Sequence, residues 1–313
     1  MNLPDELQFI VNGRMPQKRT NVSLDGRTCI VTGATSGVGY AAAKRIAESG
    51  GDLVLVCRNR EKATSVKTEI ETENGVNVDL VFADFSDLDQ VRRAGAEILD
   101  SFPRIDVLVN NAGMHNTGRE LNKDGIEMVF CVNHLASFLL TRLLLDRIMD
   151  STPARILYVN SQGHRFNGLD LDDLNWEKRS YWGLQGYGAA KTAQLLTIWE
   201  LADQLSESGV TVNAMHPGGV RTNIGMNNGL LYRLYQTYLL APFLSKPEIS
   251  GDAIYYLIAA PEMEYETGKF YNQTIEEKPA AHALDRELGK RVWEISERLT
   301  GLYQSDNRED KHE

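Results

Sequence analysis

From Thr28 onward, short apolar runs alternate with longer stretches whose apolar positions recur every three or four residues. "TCIVTG" predicts a first buried strand, and "VGYAAAKRIAESG" a helix stopped at Gly50-Gly51. The pattern repeats: "DLVLVCR" and the charged helix "NREKATSVKTEIETENG", then "VDLVFADFS" and the helix "DLDQVRRAGAEILDSF". "IDVLVNNAG" is a fourth strand, followed by the long helical stretch "GIEMVFCVNHLASFLLTRLLLDRIMD". "ARILYVNSQG" is a fifth strand, a helix covers Tyr187 to Ser206, "VTVNAMHPGGV" is a sixth strand, and "TGKFYNQ" a last one. The strands are rich in Val, Ile and Leu and do not alternate with polar residues, which predicts a parallel sheet buried on both faces. Strand–helix alternation on this scale predicts an α/β fold: one doubly wound sheet of about seven strands, with right-handed crossovers and helices on both sides. Ligands of such sheets sit beyond the carboxyl ends of the strands.

Residues 1–25 are polar and aperiodic and read as an N-terminal extension; 26–305 form the main domain and 306–313 a frayed, solvated tail. Neither an internal repeat nor a low-complexity linker divides the 313 residues. The net charge of −10 argues against a nucleic-acid partner. Cys29, Cys57 and Cys131 lie in apolar runs, as buried reduced thiols of a cytoplasmic protein would. No signal-peptide pattern is evident, and no segment reads as a transmembrane span.

The candidate chemistry falls at the strand ends. "VTGATSGVG" places Gly33, Gly37 and Gly39 between the first strand and its helix, where glycines let the backbone approach a pyrophosphate held at the helix N-terminus. The spacing is G-x-x-x-G-x-G rather than the usual dinucleotide G-x-G-x-x-G. An acidic residue ending the second strand would favour NAD(H); here Cys57 and Arg58 stand there, with Arg60 and Lys62 near, and a guanidinium matches the 2′-phosphate of NADP(H). Asp84, after the third strand, is placed for the adenine edge, and Asn110, after the fourth, for the cofactor groove. The six histidines have no metal spacing; His115 and His164 fall in loops above the site, where they could touch substrate, with a surface position the stronger reading.

Taken in order, Thr32-Gly33-x-x-x-Gly37-x-Gly39, Asn110-Asn111-Ala112-Gly113, Asn133, Ser161, Tyr187-x-x-x-Lys191 and His216-Pro217-Gly218 resemble the short-chain dehydrogenase/reductase family over about residues 25–275. "LVCRN", "FCVNHLASFLLT", "LDLDDLNW" and "VWEISERLTGL" are similar to its branch of retinol dehydrogenases, WW-domain oxidoreductases and protochlorophyllide reductases. Asn160-Ser161 and Ala190-Lys191 depart from the usual Ser-Ser and Ser-Lys. The resemblance implies a Rossmann-type fold and a cofactor set of Gly33, Thr35, Ser36, Gly37, Val38, Gly39, Arg58, Asn59, Asp84, Phe85, Asn110, Ala112, Gly113, Tyr187, Lys191, Pro217, Gly218, Val220 and Thr222. It also implies that Lys191 bonds the nicotinamide ribose and that Asn133 holds a water joining the lysine to solvent.

Reduction of a carbonyl by hydride needs a proton at oxygen. Tyr187 is the candidate general acid/base, and Lys191, one helical turn away, is expected to lower a phenol pKa that is ordinarily about 10. Ser161 can steady the developing oxyanion. Twenty-five residues separate Ser161 from Tyr187, and Trp176, Tyr181 and Trp182 among them are expected to border the substrate. Asp170, Asp172 and Asp173 read as a solvated turn. Residues 229–244, rich in Leu and Tyr with one charge, read as an apolar substrate lid, alternatively as an interfacial helix or as core. With Met114 and Phe166 they imply a bulky lipophilic substrate for an NADP(H)-dependent carbonyl/alcohol oxidoreductase. A C=C reductase using the same Tyr/Lys pair, and a non-catalytic NADP(H) sensor, are the rival readings. The apolar fourth and fifth helices could form a homodimer face or pack on the sheet.

Overall fold

The computed structural model describes residues 8–220 and 246–303. One sheet of eight strands runs in the order β3-β2-β1-β4-β5-β6-β7-β8. Its strands are β1 (Thr28–Thr32), β2 (Asp52–Cys57), β3 (Val78–Phe82), β4 (Val107–Asn110), β5 (Ala154–Val159), β6 (Val210–His216), β7 (Phe270–Asn272) and β8 (Ile275–Glu276). The first seven are parallel; β8 folds back antiparallel on β7 as a short hairpin. β1 lies between β2 and β4, so the winding direction reverses there and leaves a crevice at the carboxyl edge.

Successive residues of each strand serve opposite cores. Ile30, Val54, Val56, Leu108 and Ile156 face one layer, and Cys29, Val31, Leu53, Leu55 and Leu157 the other. Both faces are therefore apolar, which is why the strands show no polar alternation. The second layer holds α2 (Gly37–Ala47), α3 (Arg60–Asn74) and α7 (Glu248–Ala259). The first holds α4 (Leu88–Ser101), α5 (Met128–Met149) and α6 (Gly183–Gln204). A short α1 (Gln8–Asn12) precedes the sheet, and α8 (Arg286–Leu299) packs outside α5 and α6. All three cysteines are buried and unpaired.

Two expectations change. By length and composition α5 could cross a membrane (mean hydropathy 1.7), contrary to the sequence reading; 78% of its apolar window is buried in this chain as core. It begins at Met128, later than expected, because the Glu127 carboxylate accepts from Val129 N and Phe130 N and caps it there. Part of the apolar face of α5 and α6 packs under α8. Val292, Trp293 and Ser296 face inward, Trp293 meets Phe138 edge-on at 5.0 Å, and Ser296 Oγ lies 2.7 Å from His134 Nε2.

Candidate active site

Beyond the carboxyl ends of β1, β2, β4, β5 and β6 runs a cleft of about 800 Å³. Its floor begins at the glycine turn. Gly33 has φ 70, and a Cβ there would meet the Ala112 Cα at 2.9 Å, so only glycine allows β1 and the β4 loop to approach this closely. Asn111 locks the turn: its Nδ2 donates to Thr32 O (2.8 Å) and Gly33 O (3.1 Å). Thr35, Ser36, Gly37, Val38 and Gly39 line the cleft next, at the start of α2. Ser36 makes no side-chain cap, so the first-turn N–H groups are left for an anion. Asn110 is a correction. It is buried below the cleft, its Nδ2 donating to Thr141 Oγ1 at 2.9 Å, because the strand pleat points it into the core and gives the cleft to Asn111.

At the far end Arg58, Asn59, Lys62, Asp84 and Phe85 line the wall. The Arg58 side chain is 75% exposed, with Nη1 3.5 Å from Asp84 Oδ2. Asp84 Oδ1 accepts from Ser86 N and Oγ, fixing the carboxylate. Arg60 lies over the Phe82 ring at 3.9 Å and is not among the lining residues. Ala112, Gly113, Met114, Pro217, Gly218 and Val220 complete the walls. Thr222 and the expected lid at 229–244 lie outside the described residues.

At the near end stand Ser161, Tyr187 and Lys191. Tyr187 and Lys191 share a face of α6, and the ammonium lies 5.9 Å from the Tyr187 ring centre. Gly163 makes room: a Cβ there would meet Tyr187 Cε1 at 2.6 Å. Ser161 Oγ accepts from Gly163 N (3.0 Å), and the Ser161 carbonyl is held by His164 Nδ1 at 2.7 Å. Burial raises the Tyr187 pKa, and the bond to Ser161 pulls it partly back. Burial also pushes Lys191 down to about 7. The expected pull of lysine on phenol is thus not the leading effect. Losing water disfavours the charged form of each group, so the phenol is held protonated at neutral pH.

Lys191 Nζ donates to Val159 O (2.8 Å) and to Gln194 Oε1 (3.3 Å). Asn133 lies in a π-helical turn of α5, Cys131–Leu135, a distortion that frees backbone groups. Its amide is spent on Met114, accepting from N (2.7 Å) and donating to O (2.9 Å), while its carbonyl accepts from Gln194 Nε2 at 2.8 Å. Gln194 therefore bridges the lysine and the Asn133 carbonyl; its Oε1 also accepts from Asn160 Nδ2 at 2.8 Å. Sequence reading missed Gln194, although three positions after Lys191 puts it on the same helical face. Asn111 stands in the Asn110–Gly113 motif, but the sequence assigns the groove to its neighbour Asn110.

A second cavity, of about 840 Å³, opens on the other side of Ser161 and Tyr187. Its walls include Phe9, His115, Phe166, Leu184, Pro279 and His282. Ser161 and Tyr187 line both spaces, so they stand at the junction. His115 and His164 are buried, correcting the surface reading: His115 meets Tyr187 edge-on at 5.7 Å, and His164 accepts from Ala280 N through Nε2. Burial lowers the His164 pKa to about 4, leaving it neutral and able to clamp two backbone segments. The residues between Ser161 and Tyr187 are split. Phe166 and Leu184 reach the cavity, but Trp176 is buried under Arg179, and the Tyr181 hydroxyl donates to Glu127. Trp182 is exposed and lines neither space. Asp173 is buried rather than solvated, accepting from three backbone N–H groups and Arg179. Among the described residues no acidic, Cys or His group could hold a metal.

The donor set of the first cleft fits a nicotinamide dinucleotide: an uncapped helix start for the pyrophosphate, cationic side chains at the adenosine end, and a buried lysine beside the tyrosine. Residues 27–230 match the short chain dehydrogenase family. The chain belongs to that family of oxidoreductases, with a nicotinamide-cofactor fold. Human retinol dehydrogenase 13 is 37% identical over 299 residues, covering 94% of this chain and 89% of its own. Mouse retinol dehydrogenase 14 is 35% identical, covering 89% and 87%. A short chain dehydrogenase from Burkholderia cenocepacia, solved with NADP, aligns with a TM-score of 0.64 at 26% identity, over 80% of this chain and 96% of that one. The similarity falls in the retinol dehydrogenase-like branch.

Proposed function

We propose that the protein interconverts a carbonyl and an alcohol in a bulky lipophilic molecule, using NADP(H), with Tyr187 as the general acid/base. The observation that carries this is the position of Tyr187 and Ser161 at the junction of a dinucleotide-shaped cleft and an aromatic-walled cavity. The cofactor, when bound, supplies or accepts the hydride at the carbonyl carbon. Tyr187 gives its proton to the carbonyl oxygen in reduction and takes it back in oxidation. Ser161 donates to the same oxygen as charge develops. Lys191 lies below them, and its charge would favour the phenolate left when the proton departs. The raised Tyr187 pKa supplies the protonated form that reduction consumes.

Arg58, exposed at the end of β2, supports a preference for the 2′-phosphate of NADP(H). NADP-bound relatives of the same fold agree with it. Names among the relatives support a lipophilic substrate: retinol dehydrogenases, and a candidate daunorubicin C-13 ketoreductase of Streptomyces, 37% identical over 278 residues. The three buried thiols fit a cytoplasmic setting.

The test incubates the protein with NADPH and a panel of lipophilic aldehydes and ketones, all-trans-retinal included, and identifies products by mass together with chromatography against authentic alcohol and C=C-reduced standards, which share one mass. Alcohols two hydrogens heavier are expected. Tight NADPH binding with no oxidation of NADPH across the panel would overturn the enzyme reading in favour of a sensor. Products saturated at a C=C bond would move the reaction to carbon.

A further inference from the structure

Residues 8–18 are not a free extension. Phe9 lines the second cavity beside Tyr187 and Phe166, with the Arg165 guanidinium 5.2 Å from its ring centre. The backbone of Phe9 is tied down, its carbonyl accepting from Asn272 Nδ2 at 3.0 Å. Farther along, Gln17 Oε1 accepts from Thr274 N (2.9 Å) and Thr274 Oγ1 (2.7 Å), and Lys18 N donates to Thr274 Oγ1 (2.8 Å). The segment is thus sewn to the β7–β8 hairpin.

The knot is Glu277, whose carboxylate is almost wholly buried. Oε2 accepts from Asn12 Nδ2 and Asn272 Nδ2, each at 3.0 Å. Oε1 accepts from Gln162 Nε2 at 2.6 Å and Arg165 Nη2 at 2.9 Å. Burial alone would raise its pKa; these four donors outweigh that and hold it below the usual range. One oxygen therefore anchors the N-terminal segment, and the other anchors Gln162 and Arg165 within the turn after Ser161. A buried carboxylate satisfied from both sides fixes their relative position.

We propose that the N-terminal segment is a wall of the substrate pocket, with Phe9 a specificity-determining residue and Asn12–Glu277 the tie that holds it against the catalytic turn. This rests on reading the second cavity as the substrate pocket. The ligand class it selects is an elongated apolar carbonyl compound whose body runs along an aromatic wall, since Phe9 and Phe166 offer flat apolar contact and Arg165 is already spent on Glu277.

The test uses NADP⁺-loaded protein, in which an aldehyde forms a dead-end complex, so binding is read apart from turnover. All-trans-retinal is the probe, followed by quenching of tryptophan fluorescence. Phe9→Ala is expected to raise the retinal Kd roughly five- to tenfold, with NADP⁺ affinity unchanged, and Phe9→Leu to recover most of the loss. Asn12→Ala, which leaves the pocket lining intact, is expected to raise the same Kd and to speed amide exchange over residues 8–18. An unchanged retinal Kd in Phe9→Ala, a matching fall in NADP⁺ affinity, or no retinal binding by the wild type would each overturn the proposal. Wild-type binding without NADPH-dependent reduction would instead strike the reaction and leave the wall standing.

Discussion

The two ends of the site are built differently. The cofactor end is assembled from consecutive strand ends: Gly33 to Gly39 after β1, Arg58 after β2, Asp84 after β3 and Asn111 to Gly113 after β4. Each residue is placed by the sheet itself, and the turn is pinned by backbone groups that Asn111 and Thr32 satisfy. The second cavity, proposed as the substrate end, draws on segments from across the chain: Phe9, His115, Phe166, Leu184 and Pro279 to His282. They are joined by buried polar ties, Glu277 and His164, rather than by strand pairing. A site made this way keeps its cofactor chemistry on a rigid frame and leaves its substrate wall open to change by single side chains.

The two ends meet at Tyr187. Gly163→Ala places a methyl against the Tyr187 ring, and displacing the acid by a fraction of an ångström to one ångström is expected to lower kcat/KM about 100-fold. NADPH binding by fluorescence titration should hold. Equal losses in binding and turnover would mean that the ends are not separable. Arg58→Ala acts on the other side. It is expected to weaken NADPH about tenfold, leave NADH unchanged, and leave KM for the carbonyl unchanged. A parallel loss of NADH would remove the 2′-phosphate assignment.

Gln194→Ala gives the smallest change in rate, a few-fold, but shifts its pH dependence. Lys191 loses an acceptor for its charged form, so its pKa falls below about 7. The limb of the kcat profile that follows loss of the lysine proton then moves to lower pH, while Gln194→Glu moves it higher. A profile that keeps its shape in both variants would make Gln194 only a packing residue.

What could be read from the sequence follows the same division. The sheet, its parallel strands and the cofactor wall were legible because each rests on a local pattern: an apolar run, a glycine turn, a residue at a strand end. Asn110 and Asn111 were confused because periodicity does not say which of two neighbours faces the core. The substrate wall was only partly legible. Phe166 follows closely on Ser161, but Phe9 reaches the pocket through Glu277, 265 residues after Asn12. Trp176 and Tyr181 are expected at the substrate border because nothing local announces Glu127, whose buried carboxylate collects the Tyr181 hydroxyl. The covering of α5 and α6 by α8 was likewise a long-range fact.

In the proposed reaction Tyr187 delivers the proton at the junction of the two spaces. Single-turnover decay of NADPH absorbance, with excess all-trans-retinal or the best carbonyl of the panel, tests it most directly in wild type and Tyr187→Phe. The variant should bind NADPH as the wild type does and lose the decay phase by at least about 100-fold. A decay of equal rate in Tyr187→Phe would mean that another group delivers the proton.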